Sequence, residues 1–239
     1  MVSKTFGQNS FSTASRKYFV RAIITYLLMP LILLIIGWDP GWWQGWIYSA
    51  LIVAAGIIPR LWAEKRHPGL MEERGKLGKV QNVKPWDKVL SVLMAISVSF
   101  PLYIVAGLDH RFGWSPPFPI WFNILGLILI GLGYTIGGWA FAENRFFSSV
   151  VRIQSDRGHI VCDSGPYRFV RHPGYAGNIL PLFGMMLAFS SFWIIIPVIA
   201  ALIIMVIRTA LEDKTLQKEL PGYKDYAQRV RYRLIPGIF

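Results

Sequence analysis

Predominantly apolar runs recur along the chain at residues 20–38, 42–63, 89–108, 120–142, 175–189 and 192–207. Crossing a hydrocarbon core of about 30 Å takes roughly 20 helical residues at about 1.5 Å each. The first four runs meet that length. The last two are shorter and are separated only by Ser190 and Ser191, which predicts a tight helical hairpin that does not fully cross. Between the fourth and fifth runs lies a polar insert, and within it residues 158–177 read GHIVCDSGPYRFVRHPGYAG, dense in His, Arg, Tyr, Gly and Pro. After the sixth run, Pro221 and Gly222 interrupt the helix. Tyr223, Tyr226, Ala227 and Val230 then recur at helical spacing beside Lys224, Arg229, Arg231 and Arg233. That pattern predicts a C-terminal amphipathic helix lying on lipid headgroups. The expected fold is an all-α integral membrane bundle of about five to six transmembrane helices, in one domain over residues 1–239.

Composition agrees with the pattern. The chain is 54% hydrophobic and only 16% charged, outside the range of an ordinary soluble domain. Its formal charge is +12, carried by 25 Lys and Arg, yet the loops of one parity hold only Arg111. This strong positive-inside asymmetry predicts cytoplasmic N- and C-termini, with the 64–88 loop and the polar insert on the same side. The excess charge is accounted for by topology and anionic membrane lipids. No nucleic acid partner is expected, because the charges are spread over short loops with no recognition module. The basic start resembles that of a signal peptide, but no small-residue cleavage site precedes the second run, so the first helix is expected to be retained.

Several chemistries lack their residues. Cys162 is the single cysteine, which excludes an intramolecular disulfide and a thiolate metal cluster. His67, His110, His159 and His172 have no ligand spacing and no adjacent carboxylate cluster, so no metal is expected. There is no Gly-x-Ser-x-Gly elbow and no phosphate-binding glycine loop; Gly131-x-Gly133 within the fourth run reads as helix packing. Arg208 and Glu212 stand four apart where the sixth run ends, on one helical face.

The ordered set Ser164-Gly165-Pro166-Tyr167, Arg171-His172-Pro173-Gly174-Tyr175, Arg208-x-x-x-Glu212, Tyr223-x-x-Tyr226 and Ile235-Pro236 resembles the isoprenylcysteine carboxyl methyltransferase family. Phospholipid N-methyltransferases share much of it. The resemblance runs from about Gln154 to the C-terminus, with the earlier helices alike only in being apolar. It implies residues 1–142 as N-terminal spans and 143–239 as a methyltransferase core with a cytoplasmic pocket for S-adenosylmethionine. Cofactor contacts are then expected at Gln154, His159, Ile160, Val161, Cys162, Tyr167, His172, Pro173, Gly174, Tyr175 and Glu212, with Arg208 on the substrate side and Arg208 and Glu212 as catalytic residues. The residue types suit such a ligand, with cationic donors for the cofactor's carboxylate, Glu212 for its ammonium, and tyrosines against adenine and the sulfonium.

The implied activity is methyl transfer to a lipophilic small-molecule or prenylated acceptor, foremost the carboxylate of a prenylated cysteine. Phospholipid amine N-methylation and thiol S-methylation are the alternatives, followed by an NADPH-dependent membrane reductase or a non-catalytic membrane protein. Two departures from the family pattern stand out. The Gln154–His159 segment is short, and the acidic run after Arg208 is reduced to Glu212 and Asp213. Arg66-His67-Pro68-Gly69 echoes Arg171-His172-Pro173-Gly174, and Glu72, Glu73 and Arg74 after it are placed to close over the pocket.

Overall fold

A computed structural model describes residues 13–75 and 82–239. The polar start of the chain and part of the expected 64–88 loop lie outside them. The helices are α1 (Thr13–Gly37), α2 (Trp43–Arg66), α3 (Leu70–Gly75), α4 (Pro85–Ser97), α5 (Phe100–Phe112), α6 (Ile120–Glu143), α7 (Pro173–Ala188), α8 (Ile195–Glu219) and α9 (Tyr223–Arg229). Single 3-10 turns occur at Ser155–Arg157 and Gly165–Arg168, and there is no strand among the described residues. Five segments are long and apolar enough to cross a membrane: α1, α2, α4 with α5, α6 and α8. The protein is an all-helical, multi-pass integral membrane protein. Ile24, Leu27 and Ile35 of α1 and Ile120, Ile128 and Leu132 of α6 stay exposed, as lipid-facing side chains must.

Three departures from the sequence pattern matter for the site. The third apolar run is two helices, not one. At Ser99 the backbone leaves helical geometry (φ −130, ψ −90), and Pro101 in the first turn of α5 has no N–H to offer the preceding turn. Second, α7 has 16 residues and reaches only about 24 Å at the helical rise, so it is the short arm of the hairpin. Third, α8 starts at Ile195 and runs to Glu219, which carries Arg208, Glu212 and Asp213 inside a continuous helix rather than at its end.

Although α7 and α8 are joined by a tight turn, with Ser190 at φ 53, α7 packs mainly on α6. The cause is a seam of glycines. A Cβ on Gly133 would sit 2.3 Å from Pro181 Cδ and 2.4 Å from the Gly177 carbonyl oxygen, and one on Gly126 would sit 2.4 Å from the Ala188 nitrogen. Backbones this close gain dispersion and weak C–H contacts that replace the hydrophobic drive missing inside a bilayer. At this end of the bundle Asn123 Nδ2 donates to Leu187 O (2.9 Å) and Ser190 Oγ (2.9 Å). Asp109 accepts from Ser115 N and Oγ (2.7 Å each) and from Ser191 Oγ, which fixes the turn to α5.

The opposite, basic end is held by two buried carboxylates. Asp213 on α8 accepts from Arg171 Nε (2.7 Å) and Nη2 (3.1 Å), Arg233 Nε (3.0 Å), Gln217 Nε2 (2.7 Å) and Tyr223 OH (3.2 Å), with His172 Nε2 at 3.4 Å. Arg171 also donates to the carbonyls of Val230 and Arg231, and the amides of Arg171 and His172 bond to Tyr232 O and Arg233 O (2.9 Å each). Asp87 at the start of α4 accepts from Arg208 Nε (2.8 Å) and from the Val151 amide (2.6 Å).

Helix α9 differs from the expectation of a headgroup-bound helix. It is one short segment whose apolar face, Tyr223 and Tyr226, packs on Ile153, Val161 and Leu216. The tyrosine hydroxyls need buried acceptors, and Tyr226 finds the Tyr167 carbonyl at 2.8 Å.

Gly133→Ala is expected to lower thermal stability in detergent by about 1–3 kcal/mol, since the obstructing atoms are backbone and a proline ring. Gly131→Ala, whose added Cβ meets nothing nearer than 4.0 Å, leaves it unchanged; paired melting curves check this. Asp213→Asn leaves Arg171 buried without its counter-charge and is expected to cost about 3–5 kcal/mol. Limited trypsin digestion would then cut within residues 224–233 in the variant and not in the exposed-site control Asp225→Asn.

Candidate active site

The segment from Asn144 to His172 wraps the basic end and is shaped by its own side chains. Asn144 Oδ1 accepts from the Phe146 amide (2.9 Å) as the chain leaves α6. Gln154 is buried and uses both ends of its amide: Nε2 donates to Phe146 O (2.6 Å) and Oε1 accepts from Arg157 Nη1 (2.6 Å). His159 stacks on Phe146 (4.5 Å), and its Nδ1 accepts from the Gln154 amide. Burial, aided by the charges of Arg152, Arg157 and Arg145, pushes the ring's pKa down to about 4, so it is neutral at physiological pH. Burial pushes the Cys162 thiol up, which disfavours the reactive thiolate.

The expected site residues fall into two groups. Tyr175, Arg208 and Glu212 come together: Tyr175 OH donates to Glu212 Oε2 (2.8 Å) and accepts from Arg208 Nη1. Arg208 is otherwise committed to Asp87 and to the Ser149 carbonyl (2.8 Å). Glu212 forms no ion pair among the described residues and keeps an oxygen open. Gly174 packs against Phe147, where an added Cβ would sit 2.8 Å away.

The second group makes its contacts with other parts of the protein. His172 lies on Asp213, and Tyr167 is buried, its OH donating to Ala140 O (3.3 Å). Ile160 is exposed, Val161 joins the α9 cluster, and Pro173 opens α7. The echoing Arg66 and His67 do the same at Glu143, with Arg66 Nη1 2.7 Å from its carboxylate and His67 Nε2 3.4 Å from its carbonyl.

A cavity of about 660 Å³, within the range of pockets that bury a small ligand, reaches Ser149 and Gly174, while Tyr175, Arg208 and Glu212 lie outside its lining. Ser149, Gly174, Gln154 and Asn178 line it from the insert and α7. Its basic end carries Arg60, Arg74, Arg152 and Arg157 with Glu73, and its inner walls are Tyr26, Met29, Ile52, Leu102, Tyr134 and Leu182. Ala95, Ile96, Val98, Ser99 and Phe100, at the α4–α5 break, form its side toward lipid.

The arginines of α2 and α3 were not legible as site residues, because Arg60 reads as the end of a span and Arg74 as loop charge. The echo before Arg74 was the one available signal. Burial is the largest influence on Arg74 and, with the nearby Arg60 charge, draws its pKa down to about 10. Asp87 had no signal, since its partner lies 121 residues away.

Residues 121–221 match the phospholipid methyltransferase family. No curated protein matches the chain. Among solved structures, the eukaryotic intramembrane Ras methyltransferase, isoprenylcysteine carboxyl methyltransferase, superposes with a TM-score of 0.55 at 19% identity, over 97% of this chain and 79% of that one. The chain therefore carries the phospholipid methyltransferase pattern over residues 121–221 on a fold similar to that of isoprenylcysteine carboxyl methyltransferase.

Proposed function

We propose that the protein transfers a methyl group from S-adenosylmethionine to the carboxylate of a lipophilic acceptor, such as a prenylated cysteine or a similar small lipidic acid. The observation that carries this reading is the cavity, whose lining runs from an arginine-rich end to the outward-facing α4–α5 break, where Ile96 and Phe100 are exposed. Among the described residues lining it there is no histidine, lysine or aspartate, and its one acidic side chain, Glu73, lies 3.4 Å from Arg152. An amine or thiol acceptor must lose a proton to a base, whereas a carboxylate is already ionised. The cationic lining also opposes a protonated amine head. The anionic acceptor is thus favoured over the amine, although the matched family is named for phospholipids.

The donor set suits S-adenosylmethionine. Arg152 and Arg157 offer cationic donors for the cofactor's carboxylate, Gln154 and Gly174 form the adjoining wall, and Glu212, outside that lining, offers an open carboxylate for the ammonium. Bound cofactor supplies an activated methyl electrophile. What the protein contributes is then proximity and alignment. Arg208 serves as a positioning residue, holding Tyr175 and the Ser149 carbonyl in place while Tyr175 orients Glu212. The charge asymmetry supports a cytoplasmic basic end with cytoplasmic termini.

Purified protein is expected to bind S-adenosylmethionine and not NADPH in calorimetry, with Glu212→Gln weakening the cofactor roughly tenfold or more. Methyl-labelled cofactor should pass its label to a small prenylated cysteine with a free carboxylate and not to the matching carboxamide. The product label should be released by mild base, as an ester's is. Base-stable label on an amine-bearing phospholipid would instead establish the amine acceptor, and NADPH binding without S-adenosylmethionine binding would establish the reductase.

A further inference from the structure

Several arginines at the basic end have carboxylate partners: Arg66 with Glu143 (2.7 Å), Arg152 with Glu73 (3.4 Å), Arg171 with Asp213 (2.7 Å) and Arg208 with Asp87 (2.8 Å). Three arginines of the cavity lining pair with no carboxylate among the described residues: Arg157, which donates to Gln154 Oε1 and Arg145 O, and the neighbouring pair Arg60 and Arg74. Arg60 donates only to neutral oxygens, those of Gly56 O (2.6 Å), Tyr26 OH (3.0 Å) and Tyr18 OH (3.3 Å). Arg74 donates to the Phe147 carbonyl, and its buried Nε has no hydrogen-bond partner. No carboxylate pairs with either among the described residues, and the sequence of 1–12 and 76–81 contains no Asp or Glu.

Both guanidiniums lie against one ring, with Arg74 3.8 Å and Arg60 5.3 Å from the Phe141 centroid. Two neighbouring cations partly removed from water carry a repulsive and a desolvation cost that ring stacking offsets only in part. An anion between them would remove most of that cost. Both also line the cavity, whose lining extends to Ala95, Ile96, Val98, Ser99 and Phe100 at the α4–α5 break.

We infer that Arg60 and Arg74 are the anion seat of the cavity, and that its occupant is a membrane amphiphile whose carboxylate or phosphate lies against this pair while its tail leaves by the α4–α5 break. The assignment rests on the methyl-transfer reading for its meaning, since it makes these two residues determinants of acceptor specificity. They belong to α2 and α3, outside the 121–221 segment that carries the family pattern. In this division of labour the family core handles the cofactor, and the N-terminal helices choose the acceptor.

The test uses full-length protein in non-ionic detergent, with labelled palmitic acid and lysophosphatidic acid as anionic amphiphiles and monopalmitoylglycerol as the uncharged control. Wild type is expected to retain both anions and not the control. Arg60→Gln and Arg74→Gln should each lower that affinity at least tenfold, with S-adenosylmethionine affinity, measured separately, changed less than twofold. Inorganic phosphate should not displace the amphiphiles. Ala95→Trp, which fills the break without touching charge, should weaken amphiphile binding in a protein whose arginines are intact.

Unchanged amphiphile affinity in Arg74→Gln would overturn the assignment. So would displacement by inorganic phosphate at comparable concentration, which marks a site for free anions, or a parallel loss of S-adenosylmethionine binding, which makes the pair a cofactor site. If Arg74→Gln does not fold, undiminished binding in Ala95→Trp is equally decisive against it. Amphiphile binding that survives in a protein unable to bind S-adenosylmethionine leaves the seat standing and removes only the methyl-transfer reading.

Discussion

Asp213 is a buried carboxylate that five side chains reach at once, and the basic end of the protein is organised around satisfying it. A lone ionised carboxylate inside a protein is prohibitively costly unless cations and hydrogen-bond donors surround it. Its donors come from three places in the chain: the insert supplies Arg171 and His172, α8 supplies Gln217, and the tail supplies Tyr223 and Arg233. Meeting the requirement of one side chain therefore fixes the insert against α8 and lays the tail over both. Tyr226, reaching back to the Tyr167 carbonyl, follows once the tail is seated. Asp87 performs the same service on the other side of α8, tying the start of α4 to Arg208 and to the backbone at Val151.

This arrangement separates two uses of arginine that composition cannot distinguish. Arg171 and Arg208 are consumed by carboxylates and give shape; Arg60 and Arg74 rest on neutral oxygens and an aromatic ring and keep their charge in play. The arginines of the repeated Arg-His-Pro-Gly fall in the first class. In both copies the arginine goes to a carboxylate of a long helix, Glu143 at the end of α6 or Asp213 within α8, and the histidine follows it to the same residue. The motif is a clamp for a chain leaving or entering the membrane surface, which explains its appearance in two loops without a longer repeat.

The long helices were legible because runs of about 20 apolar residues have one economical solution in lipid. The split between α4 and α5 was harder to see, since Ser97, Ser99 and Pro101 interrupt a run that is apolar on average. The partner of α7 was also hidden: a hairpin connection suggests α8, but only the spacing of Gly126, Gly133, Gly177 and Gly184 on two separate segments brings α6 and α7 backbone to backbone. Within the site, the Arg208–Glu212 spacing was visible locally, while the hydroxyl that links them, Tyr175, lies more than thirty residues earlier. The carboxylates that hold the site together were the least visible, because the arginines that meet them, Arg208 for Asp87 and Arg171 for Asp213, are distant in sequence.

The glycine seam also bears on how the cavity moves. Where α6 and α7 meet, backbone lies against backbone, so there are no side-chain rotamers to rearrange and little room to slide. Across the cavity, α4 and α5 are two short pieces meeting at Ser99, where the hydrogen-bond ladder lapses and a proline prevents its repair. One wall is stiff and the other compliant. Breathing of the cavity is therefore concentrated at the α4–α5 joint, pivoting on the Asp87–Arg208 anchor, while the wall that carries Gly174 and Asn178 stays in register.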